Sequence, residues 1–204
     1  MKILGLTGQS GAGKTIFSEM LMKLGHPCIN ADELYHASLI PPSEILEAIS
    51  DAFGNDFLLE DGGLDRKKLA KHVFSSKDNL DKLNTAVLPI MSKKVVALAK
   101  DFEAKGAQLV VIDAPTLFEA GLDSICDMTV SVVAPDSVRI ERIAERDNIS
   151  IDDAILRTKA QKNDDFYYER SDYVIVNNSS LEDLRTKTER LICAMGISAI
   201  KKTL

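Results

Sequence analysis

The run Gly8-Gln9-Ser10-Gly11-Ala12-Gly13-Lys14-Thr15 satisfies G-x-x-x-x-G-K-[ST] in full. Those residue types at that spacing suit one chemistry, the holding of a nucleoside triphosphate by its phosphates. The glycines let backbone N–H groups converge on phosphate oxygens with no Cβ in the way. Lys14 can reach the β- and γ-phosphates, and the Thr15 hydroxyl can ligate Mg²⁺. Ile16 opens the following helix, whose positive end points at the same place. The nucleotide-binding set therefore runs from Gly8 through Ile16. An ordinary glycine-rich turn is the competing reading, and the flanking strand (2–7) and helix (16–24) argue against it.

Four further groups could do chemistry with a bound triphosphate. Asp32 follows a short apolar segment, where a carboxylate could orient an acceptor hydroxyl and take its proton. It could equally cap the helix that follows. Asp113 ends a clear apolar run, a position suited either to an outer-sphere Mg²⁺ carboxylate or to a structural cap. Glu119 either acts near Asp32 or caps a helix. Arg139, Arg142 and Arg146 fall at i, i+3 and i+7, so they share one helix face. They could pair with Glu141 and Glu145 on a solvated surface. Beside a phosphate loop, the favoured reading is a lid that carries cations onto a transferring phosphoryl group. His26, His36 and His72 lie at no metal-like spacing and read as surface or boundary histidines.

These groups need a scaffold. Continuous apolar, β-branched runs at 2–7, 28–29, 109–112, 128–133 and 173–176 suit strands buried on both faces of a parallel sheet. Helical patterns separate them, which predicts a doubly wound α/β domain over 1–204. The nucleotide-binding core is expected at 1–32 and 105–204. Between them, 33–104 has no strong strand and reads as helices at 42–53, 66–74, 77–87 and 89–105. Ser76 or Asp78 is expected to cap the third of these, and Pro89 to open the fourth. So much helix between two strands predicts an acceptor-binding insert. A charged helical stretch over 136–169, capped by Asp136 or Ser137, is the expected lid region.

Composition limits the partners. With 204 residues and 45% hydrophobic content, the chain can bury a sizeable core. A net charge of −6 argues against nonspecific nucleic-acid binding, which needs a basic surface. Cys28, Cys126 and Cys193 show neither metal spacing nor a disulfide framework, and are expected to be small buried hydrophobes in a reduced compartment. No apolar run is long enough for a membrane span, and the first strand leaves no room for a signal peptide. A cytoplasmic monomer or weak homo-oligomer is expected. A GTPase switch is disfavoured, because Gln161-Lys162-Asn163-Asp164 lacks the first Asn of the guanine-reading N-K-x-D and follows a helix.

From Leu6 to about Asn178 the chain resembles the dephospho-coenzyme A kinases. Leu6-Thr7-Gly8 through Thr15 is similar to their opening loop. Asn30-Ala31-Asp32 resembles their Asp-Ala-Asp with the second acid kept. Phe53-Gly54, the run from Asp61 to Leu69, and Val73-Phe74 resemble F-G, D-G-x-L-x-R-x-x-L and [VI]-F. Leu117-Phe118-Glu119 after Pro115, Glu145-Arg146-Asp147, Ala160-Gln161 and Asp172 through Asn178 follow in the family's order. Departures are Leu88 for a His before Pro89, His36 for an Arg, Asn30 for the first acid and Thr116 for a Leu.

The resemblance implies a P-loop NTPase-type fold and ATP-dependent phosphorylation of the ribose 3′-hydroxyl of dephospho-coenzyme A. It implies Asp32 as base, Lys14 as the phosphate-binding lysine, and Arg142 and Arg146 as lid cations. ATP and Mg²⁺ are the expected cofactors. The rival small-molecule reading is a nucleoside or nucleotide kinase of the same fold.

Overall fold

The computed structural model describes residues 1–197. Five strands form one parallel sheet in the order β2-β3-β1-β4-β5. They are β1 (Lys2–Gly8), β2 (Cys28–Asn30), β3 (Leu109–Asp113), β4 (Met128–Val133) and β5 (Tyr173–Val176). All five predicted strands are present, and the helices flank the sheet as a doubly wound α/β fold requires. Their apolarity has the expected cause: Leu4 and Leu6 of β1 and Val110 and Val111 of β3 are fully buried.

The chain divides into two compact units, Asn30–Leu98 and the remainder. The first contains α2 (Ala31–Ala37), α3 (Glu44–Phe53), α4 (Arg66–Val73) and most of α5 (Lys77–Ala104). The second contains the sheet, α1 (Lys14–Lys23), α6 (Asp136–Asp147), α7 (Ile151–Lys159), α8 (Asp164–Arg170) and α9 (Leu181–Ala194). Each has its own core. In the sheet unit, Phe17 and Leu21 of α1 and Leu184 and Leu191 of α9 join Leu4, Leu6, Val130 and Val132. In the helical unit, i,i+4 pairs converge: Ile45 with Ile49, Leu69 with Val73, and Val87 with Met91.

Several local expectations are corrected. Residues 77–105 are not two helices meeting at Pro89: α5 runs unbroken from Lys77 to Ala104 with Pro89 inside it. An interior proline costs about 3 kcal/mol, since it removes one backbone bond and crowds the preceding turn. Val87 and Met91, one turn apart and flanking Pro89, are both buried. Each contributes roughly 1.5–3 kcal/mol on burial, enough to hold the helix through the break. Ser76 rather than Asp78 caps the start of α5, its Oγ accepting from Asn79 N–H at 3.2 Å. The helix at 42–53 starts later, at Glu44, because Ser43 accepts from Ile45 and Leu46 N–H. The stretch 136–169 is helical as expected and holds α6, α7 and nearly all of α8, but α6 follows Pro135 without a side-chain cap from Asp136 or Ser137.

Candidate active site

Local sequence makes the loop. β1 ends at Gly8, whose φ of 133° belongs to glycine, and a Cβ there would run into the Val132 carbonyl. Gln9 N–H donates to that carbonyl at 3.3 Å, tying the loop to β4. Gly13 turns the chain into α1 with φ 103°, and no side chain caps the first helical N–H groups. Those donors and the helix dipole are the physical basis of an anion site.

Five successive loop carbonyls, from Gly8 to Ala12, are each taken by a side chain. Lys14 Nζ donates to Gly8 O at 2.9 Å and Gln9 O at 3.5 Å. Arg139 Nε donates to Ser10 O at 3.1 Å and Arg142 Nη1 to Gly11 O at 3.3 Å. Asn177 Nδ2, at the end of β5, donates to Ala12 O at 2.8 Å. Carbonyl oxygens would repel a phosphate. Engaging them in this way leaves the N–H face of the loop to dominate its field.

The α6 arginines do share a face, and all three reach the loop. Arg139 is only 2% exposed and makes a fork of bonds: to Ser10 O, to Asp136 Oδ1 at 2.9 Å and to Gln161 Oε1 at 2.7 Å. Gln161 Oε1 in turn accepts from Ser10 N–H at 2.9 Å. Gln9 Nε2 donates to Asp164 Oδ1 at 2.7 Å. The turn between α7 and α8 therefore grips two loop residues. Arg146 is exposed and its Nη2 lies 3.3 Å from Ser10 Oγ. Its bond to Asp147 raises its pKa above the ordinary arginine value. Asp147, also bridged to Arg157, has its carboxyl held below the usual range by Arg146 first. Lys14, Arg139, Arg142 and Arg146 concentrate positive charge at the loop of an otherwise acidic chain.

The carboxylates lie as follows. Asp113 is the buried last residue of β3, in register with Leu6. Glu119 is exposed on the turn after β3, and its charge adds to burial in pushing the Tyr167 hydroxyl up to about 12. Asp32, in the helical unit, is exposed in the first turn of α2. It is not the cap of that helix: Asn30 Oδ1 accepts from Asp32 N–H at 3.0 Å and Glu33 N–H at 3.1 Å. The capping alternative for Asp32 is thereby corrected.

Other expectations change too. His26 is buried, with neither ring nitrogen hydrogen-bonded, and burial lowers its pKa. It is neither a surface nor a boundary residue. His72 packs edge-on to Phe53 and tilted against Phe57. The cysteines are less buried than expected: Cys28 and Cys126 are half-buried and Cys193 is exposed. Sequence reasoning placed Arg139 on the cationic lid face without singling it out, and gave no role to Gln161 or Asn177. The available signal was the i+3 spacing of Arg139 from Arg142. Gln161 and Asn177 carried none beyond lying in family-like runs.

A parallel sheet of this strand order, with a phosphate loop leaving its central strand and guanidinium groups gathered on that loop, defines a nucleotide-using P-loop kinase. Residues 2–183 match the family model described as dephospho-CoA kinase, and the chain belongs to that family. A dephospho-CoA kinase from Fusobacterium nucleatum is 37% identical over 189 residues, 92% of this chain and 95% of its own. One from Syntrophotalea carbinolica is 38% identical over 199 residues, 96% of this chain and 92% of its own. Among solved structures, TT1252 from Thermus thermophilus superposes with a TM-score of 0.76 at 28% identity, covering 95% of this chain and 97% of that one. A shikimate kinase from Acinetobacter baumannii shares the fold at a TM-score of 0.55 and 16% identity, covering 97% of this chain and 96% of that one.

Proposed function

We propose that this kinase transfers the γ-phosphoryl group of ATP to the ribose 3′-hydroxyl of dephospho-coenzyme A, completing coenzyme A. The observation that carries the reading is the carbonyl-engaged loop with its α6 guanidinium groups, in a chain that matches the dephospho-CoA kinase family over residues 2–183. Lys14 and the N–H groups of Gly8 through Ile16 hold the triphosphate. Arg142 and Arg146 stabilise charge on the transferring group, and α6 to α8, within 136–169, act as the lid that excludes water.

Asp32 orients the acceptor hydroxyl and accepts its proton. Its support is an exposed carboxylate just beyond the carboxyl end of β2, left uncommitted because Asn30 does the capping. In a loose transition state this positioning matters more than base strength. The residues also fit Mg²⁺. The Thr15 hydroxyl and the Asp113 carboxylate are hard oxygen donors, and no group of three or more His, Cys, Asp or Glu forms a cage among the described residues. A sparse donor set suits an ion that keeps water and phosphate oxygens as its other ligands. When bound, the ion neutralises charge on the phosphates.

The helical insert, 33–104, supplies the acceptor contacts. No helix among the described residues is long and apolar enough to cross a membrane. With the acidic net charge, this supports a cytoplasmic enzyme that binds no nucleic acid. It is expected to be a monomer or weak homo-oligomer, and a stable dimer at micromolar concentration in light scattering would overturn that. An ADP-release assay with dephospho-coenzyme A, nucleoside monophosphates, uridine or no acceptor tests the reaction. Release only with nucleoside-type acceptors, or equally without any acceptor, would sink the proposal.

A further inference from the structure

Ser10, half-buried in the phosphate loop, is fastened at its N–H, its carbonyl and its hydroxyl. The N–H donates to Gln161 Oε1 at 2.9 Å, and the carbonyl accepts from Arg139 Nε at 3.1 Å. Arg139 Nη2 donates to the same Gln161 oxygen at 2.7 Å, so the two clamps brace one another. The hydroxyl oxygen accepts from Arg146 Nη2 at 3.3 Å. Arg146 is itself held in place: its Nε and Nη2 donate to the two oxygens of Asp147 at 2.8 and 3.0 Å, and Asp147 also accepts from Arg157. A serine hydroxyl has one proton to donate as well as lone pairs that accept. Among the described residues, the Ser10 hydroxyl accepts one bond and donates none.

We propose that the Ser10 hydroxyl donates to the γ-phosphate of bound ATP, and that this bond lets the site tell ATP from ADP. The proposal rests on the donor half of the reaction proposed above and adds a side chain to it. The backbone N–H groups of such a loop cradle the α- and β-phosphates, which leaves the γ-phosphate to side chains. Lys14 and Arg146 already have that role, and the Ser10 hydroxyl lies one hydrogen bond from Arg146. Within the set Gly8 through Ile16, Ser10 contributes its hydroxyl, because its N–H is taken by Gln161. A hydroxyl that accepts from a guanidinium and donates to a phosphate is polarised in one sense by both partners, which strengthens each bond. The clamps from Arg139 and Gln161 fix the backbone that carries it, so the donor is in place before the ligand arrives. A serine that merely hooked Arg146 would need no such bracing, and would not distinguish one nucleotide from the other.

Isothermal titration with Mg²⁺ and either nucleotide, in the absence of any acceptor, reads the contact directly. Ser10→Ala should weaken ATP binding about tenfold and leave ADP binding within about twofold of wild type. Ser10→Gly, which also lacks the hydroxyl, should give the same pattern, and the retained ADP affinity reports an intact loop. In an Arg146→Met background a mere hook has nothing left to hold, yet adding Ser10→Ala should still weaken ATP selectively. The inference is overturned if ATP and ADP weaken equally, if neither changes, or if Ser10→Ala causes no further loss in the Arg146→Met background. If wild-type protein does not phosphorylate dephospho-coenzyme A at all, the proposed function falls, while these acceptor-free titrations still decide Ser10.

Discussion

The phosphate loop and the cavity of the helical unit, between α2, α4 and α5, are built by opposite means. The loop is held by directional bonds: five consecutive carbonyls are engaged by Lys14, Arg139, Arg142 and Asn177. The cavity is held by shape, with aliphatic walls from α4 and α5 and three polar side chains in its lining. Polar networks are intolerant of partial loss, because a deleted partner leaves a buried group unsatisfied. Apolar walls tolerate changes that preserve volume. Donor handling should therefore fail abruptly on mutation, and acceptor handling should grade with size.

The largest effects should come from the residues assigned to the reaction. Lys14→Ala should lower kcat/KM for ATP by about 10³-fold, and Asp32→Ala should lower kcat by about 10²–10⁴-fold. Isothermal titration of the Asp32 variant should find ATP affinity within about twofold of wild type, since the role proposed for Asp32 is on the acceptor. Equal losses in both quantities would remove the assignment.

Arg139→Met tests whether the loop depends on its network. It removes the donor to Ser10 O and one partner of Gln161, each worth about 1–3 kcal/mol when buried and left unpaired. Chemical denaturation should show a loss of that order, and ATP affinity should fall about tenfold. Arg139→Lys should rescue neither, because an ammonium cannot reproduce the three-way fork. Rescue by lysine would mean that charge alone matters, and would weaken the contrast. In stability and ATP affinity a smaller effect is expected for Arg142→Met, whose bond to Gly11 O is longer and whose side chain is half-buried where that of Arg139 is buried.

The smallest effect is set by pH. Burial holds the His26 pKa below the usual histidine value, so the unfolded chain takes up the proton more readily than the folded one. Stability from this residue is complete above about pH 6.5 and declines as pH falls below it. Melting temperatures measured from about pH 8 to pH 5 should show this slope, and His26→Leu should flatten it. An unchanged slope would show that other groups govern acid sensitivity.

What the sequence made legible depended on how far apart the interacting residues lie. The loop is a local motif, and its strand and helix adjoin it, so Gly8 through Ile16 could be read directly. The five strands were legible because strands buried on both faces must be apolar throughout. Arg139 was not, because its partner Ser10 lies 129 positions away and nothing in a charged helix says which arginine turns inward. Pro89 misled for a similar reason: the break it implies is overridden by burial of Val87 and Met91, a tertiary effect absent from the local pattern. Asn30 took the capping role from Asp32 because the cap sits two positions earlier than the carboxylate alone would suggest.

The engaged carbonyls have a thermodynamic consequence. A backbone already tied at Gly8 through Ala12 has little conformational entropy left to lose when a nucleotide arrives. Capture of the triphosphate then becomes a collision with a finished surface, with no folding of the loop around the ligand. Association should run at the rate that diffusion and charge steering allow, so that residence time is set by departure.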